Sequence, residues 1–338
     1  RRHIVMVEIE TEGGVVGYGE SWINWPPWAH LERVAAYEHF IGPLLIGRDA
    51  ADRHGVRESL LDVLQPIGEQ AAAIGPVFQA LSGVDIALWD IAAKERGRSV
   101  RDLLGSEQAS VPVYASSLFP ESDVRADARR LRAQGFDAVK VRVGFDAGRE
   151  RDLLGGLHLL RSEGFTIFAD ANRAWTLEEA ERAGLRLVEF GVTLIEEPLR
   201  SFSVRDAERL YEATGLKVAI GENIYSLDEI EELAASPAVS AIQPDATKNG
   251  GFSFLLAAGE IAVRSGVPLM PHCFGGPLGF LASCHALAGL GAVGSVEYPI
   301  PPHAPFWPLV GGPPAVTGGR VEVSADLGFG LTVDPGRA

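Results

Sequence analysis

Cysteine is scarce in the 338-residue sequence: Cys273 and Cys284 are the only two, too few for a disulfide framework. Basic side chains are also under-represented. Thirty Lys and Arg stand against 45 Asp and Glu, giving a formal charge of −15 and a pI near 5.0. A polyanion requires clustered cations, so nucleic acid is excluded as a partner. No hydrophobic run is long enough for a membrane. Between Arg264 and Glu297 there is no Asp, Glu, Lys or Arg. Yet Pro271, His272, Gly275, Gly276, Pro277, His285 and Gly291 break this stretch well short of the roughly 20 apolar residues a spanning helix needs. It reads instead as buried strand, loop, helix and strand. The N-terminus lacks the basic, apolar, small-residue order of a signal peptide, and a cytoplasmic location is expected. Apolar side chains, by contrast, make up 46% of the chain, enough for a large core and against disorder.

The opening HIVMVEIETEGGVVGYGES alternates apolar and polar residues on both sides of Glu12-Gly13-Gly14, which predicts an antiparallel hairpin with a glycine turn. Helical periodicity follows around His30 to Ile46 and from Pro76 to Arg96, so this third is α+β. From Val111 short β-type runs alternate with helical segments: VPVYASS, DAVKVRVG, TIFADAN, VTLIEEP, KVAIGEN, SAIQPDA, VPLMPHC and VGSVEYP. Eight such units predict an α/β fold, a (β/α)₈-type TIM barrel with an α+β capping domain. The expected division is a capping domain over 1–109, a barrel over 110–304, and a segment over 305–338 that returns to the cap.

Polar residues end these strands about once every 25 residues: Lys140 and Arg142, Asp170 and Asn172, Glu196, Glu222 and Asn223, Asp245, His272, Glu297. Solvated loop charges have no reason to keep step with the βα repeat. Residues at the C-terminal strand ends converge on the barrel mouth, where such enzymes keep their active sites. Asp170, Glu196 and Glu222 come from consecutive strands and would repel one another unless a cation joined them; an all-oxygen site of this kind suits Mg²⁺. In LIEEPL the spacing alone does not choose Glu196 over Glu197, but the two should point to opposite faces. The same alternation sets Cys273 facing away from His272, against a Cys-His nucleophile.

ADAN, IEEP, GEN, PDATKNGG, the PH after a strand, and VEYP, in this order and spacing, resemble the mandelate racemase subgroup of the enolase superfamily, across nearly the whole chain. The resemblance implies Mg²⁺ held by Asp170, Glu196 and Glu222, which settles the choice of Glu196. It implies a small carboxylate substrate bound to the metal and loss of its α-proton. Glu297 matches a residue that donates a hydrogen bond to the substrate carboxylate, which requires it protonated, with burial and nearby acids raising its pKa. His272 and Asp245 match the histidine-aspartate dyad, Asp245 fixing the tautomer of a general base. A lone histidine in an apolar run is ordinarily a core residue; the Asp one strand earlier reverses that reading.

One position departs from the family pattern. The usual Lys-x-Lys reads Lys140-Val-Arg142 here, and arginine stays protonated, so the second face lacks the expected base. Beside Arg142, the pKa of Lys140 is expected to fall. A racemase needs bases on both faces, whereas a dehydratase needs one. Elimination of water from an acid sugar is therefore the favoured activity, with Lys140 or Arg142 holding a substrate hydroxyl or carboxylate. A racemase or epimerase, and a metal-binding barrel without turnover, are the alternatives. Asn172 is assigned to the substrate, and Trp22 and Trp25, with Trp28, to a lid over the mouth, unless these tryptophans only pack the next helix. The resemblance also implies a strand and loop ahead of the hairpin that these 338 residues do not include. A homo-oligomer is expected.

Overall fold

The computed structural model describes residues 3–118, 123–145, 147–291, 294–300 and 312–331. The chain opens with strands β1 (Val5–Glu10) and β2 (Val16–Ser21), an antiparallel hairpin running from Val5↔Ser21 to Glu10↔Val16. It lies on the long helix Ile74–Glu95, and glycine makes this possible. A Cβ at Gly17 would meet Ala87 O at 2.4 Å, and one at Gly19 would meet Gly83 O at 1.7 Å. Two residues apart on a strand, these glycines share one face, and that face is pressed against helix backbone. The first helical stretch is a composite. Helix Ala29–Ala36 passes through a π turn at Tyr37–Ile41 into Gly42–Leu45.

The barrel strands are β3 (Ser110–Leu118), β4 (Ala138–Arg142), β5 (Thr166–Asp170), β6 (Val192–Glu196), β7 (Lys217–Ile220), β8 (Val239–Ile242) and β9 (Val296–Pro299). Parallel ladders run β9-β3-β4-β5-β6-β7-β8, with a helix between successive strands. The predicted seventh strand, VPLMPHC, is the exception. It contributes single bridges at Leu269, to Ile242 on one side and Gly294 on the other, so no continuous ladder closes the ring. Proline explains this. Pro268 and Pro271 flank the run, and each removes a ladder donor. Met270 N still donates to Ile242 O at 2.8 Å, and His272 N to Pro244 O at 3.1 Å, which keeps the segment against β8.

Inside the barrel, Tyr114, Leu194, Ala219, Ala241 and Met270 form an apolar layer, with Phe168 packed against it. Register places the functional ends directly above this layer. Arg142 pairs with Asp170 and Asp170 with Glu196, each two residues beyond Lys140, Phe168 and Leu194 on the same inward face. Past β9, residues 301–311, where the expected boundary at 304 falls, lie outside the described residues. The chain returns through β10 (Val316–Thr317) and β11 (Arg320–Glu322), the latter antiparallel to the start of β3. Phe329 N then donates to Asp90 Oδ1 at 3.0 Å, while Tyr18 N and Lys94 Nζ hold Oδ2 of the same carboxylate at 2.9 and 2.6 Å. Among the described residues no helix is long and apolar enough to cross a membrane.

Candidate active site

Lys140, Asp170, Glu196, Glu222, Asp245, His272 and Glu297 are all buried at the mouth. Lys140, 1% exposed, is the hub of one side. Its ammonium donates to Glu196 Oε1 and Oε2 at 2.9 and 2.8 Å, lies 2.7 Å from Glu297 Oε1, and is 3.7 Å from Asp170. Burial alone would lower its pKa, but Glu196 and Glu297 overcome that and hold it well above the ordinary lysine value. The expected depression by Arg142 is therefore corrected: carboxylates brought in from across the barrel outweigh one neighbouring cation. Arg142 makes a close ion pair with Asp170 Oδ2 and is likewise kept cationic: burial pulls its pKa down, but Asp170 together with Glu196, Glu297 and Glu222 raises it above the ordinary value.

Glu297 also departs from expectation. Its Oε1 accepts a close hydrogen bond from Ser116 Oγ, and its Oε2 accepts the Cys273 N–H at 2.9 Å. Burial pushes this carboxyl up, yet Lys140 and His272 together pull it below the usual range. Both of its oxygens accept in this arrangement, and the direction of its shift is opposite to the rise expected from the resemblance. Glu196, in contrast, is pushed up to about 8, because burial and the charges of Asp170, Glu297 and Glu222 outweigh Lys140. Gln243 Nε2 donates to Glu196 Oε2 at 2.7 Å.

On the other side, His272 Nδ1 lies 2.7 Å from Asp245 Oδ2 and Nε2 lies 2.8 Å from Glu222 Oε2. Asp245 is fixed in turn by the Thr247 N–H and hydroxyl, both 2.7 Å from Oδ1. Burial favours neutral His272, but Glu222 and Asp245 prevail and hold its pKa well above 6.5. Lys248 Nζ donates to Glu222 Oε1 at 2.8 Å and stands 4.6 Å from the Trp22 ring centre. Burial opposes ionisation of Glu222, but His272 and Lys248 keep it well below the carboxylate range.

Glu197 does not join this cluster on Glu196. β6 stops at Glu196, and Glu197 turns with a left-handed φ of 39°. Its oxygens accept from Asn223 Nδ2 at 2.8 and 3.0 Å, and it lines a cavity of about 280 Å³ with Asn223, Phe202, Ile220 and Leu233. The thiol of Cys273 faces Ser283 Oγ at 3.2 Å and burial holds its pKa well above normal, so it is no nucleophile. Asn172 donates its backbone N–H to Asp170 Oδ1 at 2.8 Å. Trp22 is half-buried beside Lys248, and its Nε1 is buried with no hydrogen-bond partner among the described residues. Trp25 is 69% exposed, and Trp28 is also exposed, its Nε1 donating to Glu32. Lys248, Gln243 and Ser116 escaped the sequence reading. Lys248 sits inside PDATKNGG, and Gln243 two residues before Asp245, but neither falls on the strand-end spacing.

Among the described residues, Glu196, Glu222 and His272 bring ligand atoms within 4.8 Å of one another. Asp170 stands outside that group, held by Arg142 and the Asn172 N–H. The donor chemistry fits a hard divalent cation. Carboxylate oxygens dominate, and Glu196 is raised first by burial and then by the charges of Asp170, Glu297 and Glu222, which Lys140 does not offset.

Residues 1–105 match the mandelate racemase/muconate lactonizing enzyme N-terminal domain, and residues 123–337 match the enolase C-terminal domain-like family. D-galactarolactone cycloisomerase from Agrobacterium fabrum is 30% identical over 86% of this chain and 76% of its own length. L-talarate/galactarate dehydratase from Salmonella typhimurium is 30% identical over 98% of this chain and 80% of its own. The L-talarate dehydratase structure from Polaromonas sp. JS666, complexed with Mg and L-glucarate, superposes with a TM-score of 0.81 at 28% identity, covering 98% of this chain and 90% of that one. Two domain matches that together span most of the sequence, laid over a half-open ring of parallel strands with acids at its mouth, make this chain a member of the mandelate racemase/muconate lactonizing enzyme family of the enolase superfamily.

Proposed function

We propose that the protein is a Mg²⁺-dependent hydro-lyase that removes the α-proton of an acid sugar and eliminates water to give a 2-keto acid. One observation carries the reading. Among the described residues His272 is the one imidazole at the mouth, and it stands opposite two cations locked to carboxylates. Asp170, Glu196 and Glu222 would hold the cation, which when bound supplies charge stabilisation for a substrate carboxylate losing its α-proton. Asp245 accepts from Nδ1 of His272, which leaves Nε2 to take the proton. Nε2 lies 2.8 Å from Glu222 Oε2, which holds the imidazole protonated; a cation held by Glu222 would compete for that carboxylate and lower the imidazole's pKa toward that of a base. The α C–H bond breaks toward Nε2. The C–O bond at the β-carbon then breaks, the imidazolium returns a proton to the departing hydroxyl, and the enol rearranges to the 2-keto acid. Arg142 would fix a substrate hydroxyl or carboxylate, and Asn172 and Trp22 Nε1 would reach substrate oxygens.

Racemisation requires a base on the Lys140 side. There Arg142 stays cationic and Lys140 is held by two acids. Cycloisomerisation begins with the same proton loss, and the 30% identity to a galactarolactone cycloisomerase supports it as the second reading. An acid-sugar and lactone library with Mg²⁺ in D₂O separates them. 2-Keto acid with release of water is the result expected, ring opening of a lactone without water loss supports the second reading, and no change in any compound contradicts both. Calorimetric titration of Mg²⁺ into Asp170→Asn, Glu196→Gln and Glu222→Gln tests the ligand set; unchanged affinity in the Asp170 variant would leave His272 as the third ligand.

A further inference from the structure

Glu20 is the penultimate residue of the hairpin sequence GYGES, yet its bonds lie in the barrel. The side chain is 2% exposed. One oxygen accepts a close hydrogen bond from Gly276 N, and the other accepts from Leu278 N at 3.1 Å and Gly279 N at 3.2 Å. These are orphan donors at the start of helix Pro277–Leu290, whose first residue, proline, has none to offer. A carboxylate is the favoured partner there, since the helix terminus carries partial positive charge. Burial nevertheless raises Glu20 to about 7, so its place in the interface has a cost.

The contact bears on chemistry because of what adjoins it. Only Cys273, Phe274 and Gly275 separate His272 from Gly276. Asn24 Nδ2 donates to Phe274 O at 2.5 Å, inside the same loop. Trp22 N donates to Thr247 O at 3.0 Å, and Thr247 holds Asp245. The end of one hairpin strand therefore grips both loops of the dyad, the one with His272 and the one with Asp245. Gly275 and Gly276 accommodate the grip, since a Cβ on either would sit 2.5 or 2.8 Å from a Glu20 oxygen.

We propose that Glu20 is a positioning residue for the His272–Asp245 pair, holding the His272 loop at the angle proton transfer requires and so making activity depend on the docked N-terminal region. The proposal rests on His272 being the base. Glu20→Gln tests it, because the amide keeps the size but turns an NH₂ toward backbone donors. Hydrogen exchange should accelerate tenfold or more in peptides covering 274–279, with 166–170 and 192–196 unchanged. On a turned-over acid sugar, kcat should fall about 10- to 100-fold with KM within about threefold, the range for residues that orient a catalytic group. Ser21→Ala, which removes a bond to Gln79 O within the N-terminal region, should leave kcat within about twofold. Wild-type protection at 274–279, wild-type kcat, or protection lost evenly over the whole chain would each overturn the proposal. Should Glu20→Gln not fold, Gly276→Ala, which wedges a methyl against the carboxylate, is read by the same criteria. If the wild type turns over no acid sugar, the proposed activity fails while the exchange measurement still decides whether Glu20 holds the loop.

Discussion

The two sides of the barrel mouth carry similar residues in opposite conditions. On the β4 side, Lys140 and Arg142 face Asp170, Glu196 and Glu297, and each cation is fixed by acids it cannot readily leave. On the far side, His272 shares Glu222 with Lys248 and is tied to Asp245 through one nitrogen only by a contact that orients it. One side therefore holds charge and the other can move a proton. A second pair sharpens the lesson. His285, thirteen residues after His272, is fully buried, accepts the Arg101 N–H at Nδ1 and packs edge-on against Phe329. Among the described residues no acid is in hydrogen-bond contact with it and burial drives it down to about 4, whereas two carboxylates drive His272 up. The surroundings of the ring decide its role.

The comparison breaks first at His272. His272→Asn should lower kcat by about 10²- to 10⁴-fold, the usual share of a general base. On the locked side the loss should be in stability. Lys140→Met leaves Glu196 and Glu297 buried without their cation and should cost about 3–5 kcal/mol in urea unfolding. For His285 the sign is set by a folded pKa below the unfolded one. Its contribution is present above pH 6.5 and lost as pH falls toward about 4, on the order of 3 kcal/mol. His285→Asn, which keeps an acceptor for Arg101, should flatten that limb of the stability profile. Smallest is the metal effect: Mg²⁺ at about 100 times its Kd should stabilise by about 2.7 kcal/mol, and Glu222→Gln should erase the rise in melting temperature.

Much of the site was legible because a βα unit has a nearly constant length, so strand-end residues recur in step. Asp170, Glu222, Asp245, His272 and Glu297 stand out that way, whereas the choice of Glu196 over Glu197 needs the family resemblance; register sets Arg142, Asp170 and Glu196 side by side. Their protonation was not legible. The pKa of Lys140 depends on acids from β6 and β9, and that of Glu297 on Lys140 and Ser116, none of them near in sequence. The seventh strand was over-read, because the apolar pattern of VPLMPHC outweighed its two prolines. Glu20 was read only as a hairpin residue, since its partner Gly276 is 256 residues away. Lys248 carries no strand-end signal, because it lies in the loop of PDATKNGG.

The proposed elimination requires a base on one face of the substrate only. The direct measurement is NMR of a turned-over acid sugar with the enzyme and Mg²⁺ in D₂O, following both product and recovered substrate. Formation of 2-keto acid, with recovered substrate of unchanged configuration at the α-carbon, is the result predicted. Deuterated substrate of inverted configuration would show a working base on the Lys140 side and contradict the account.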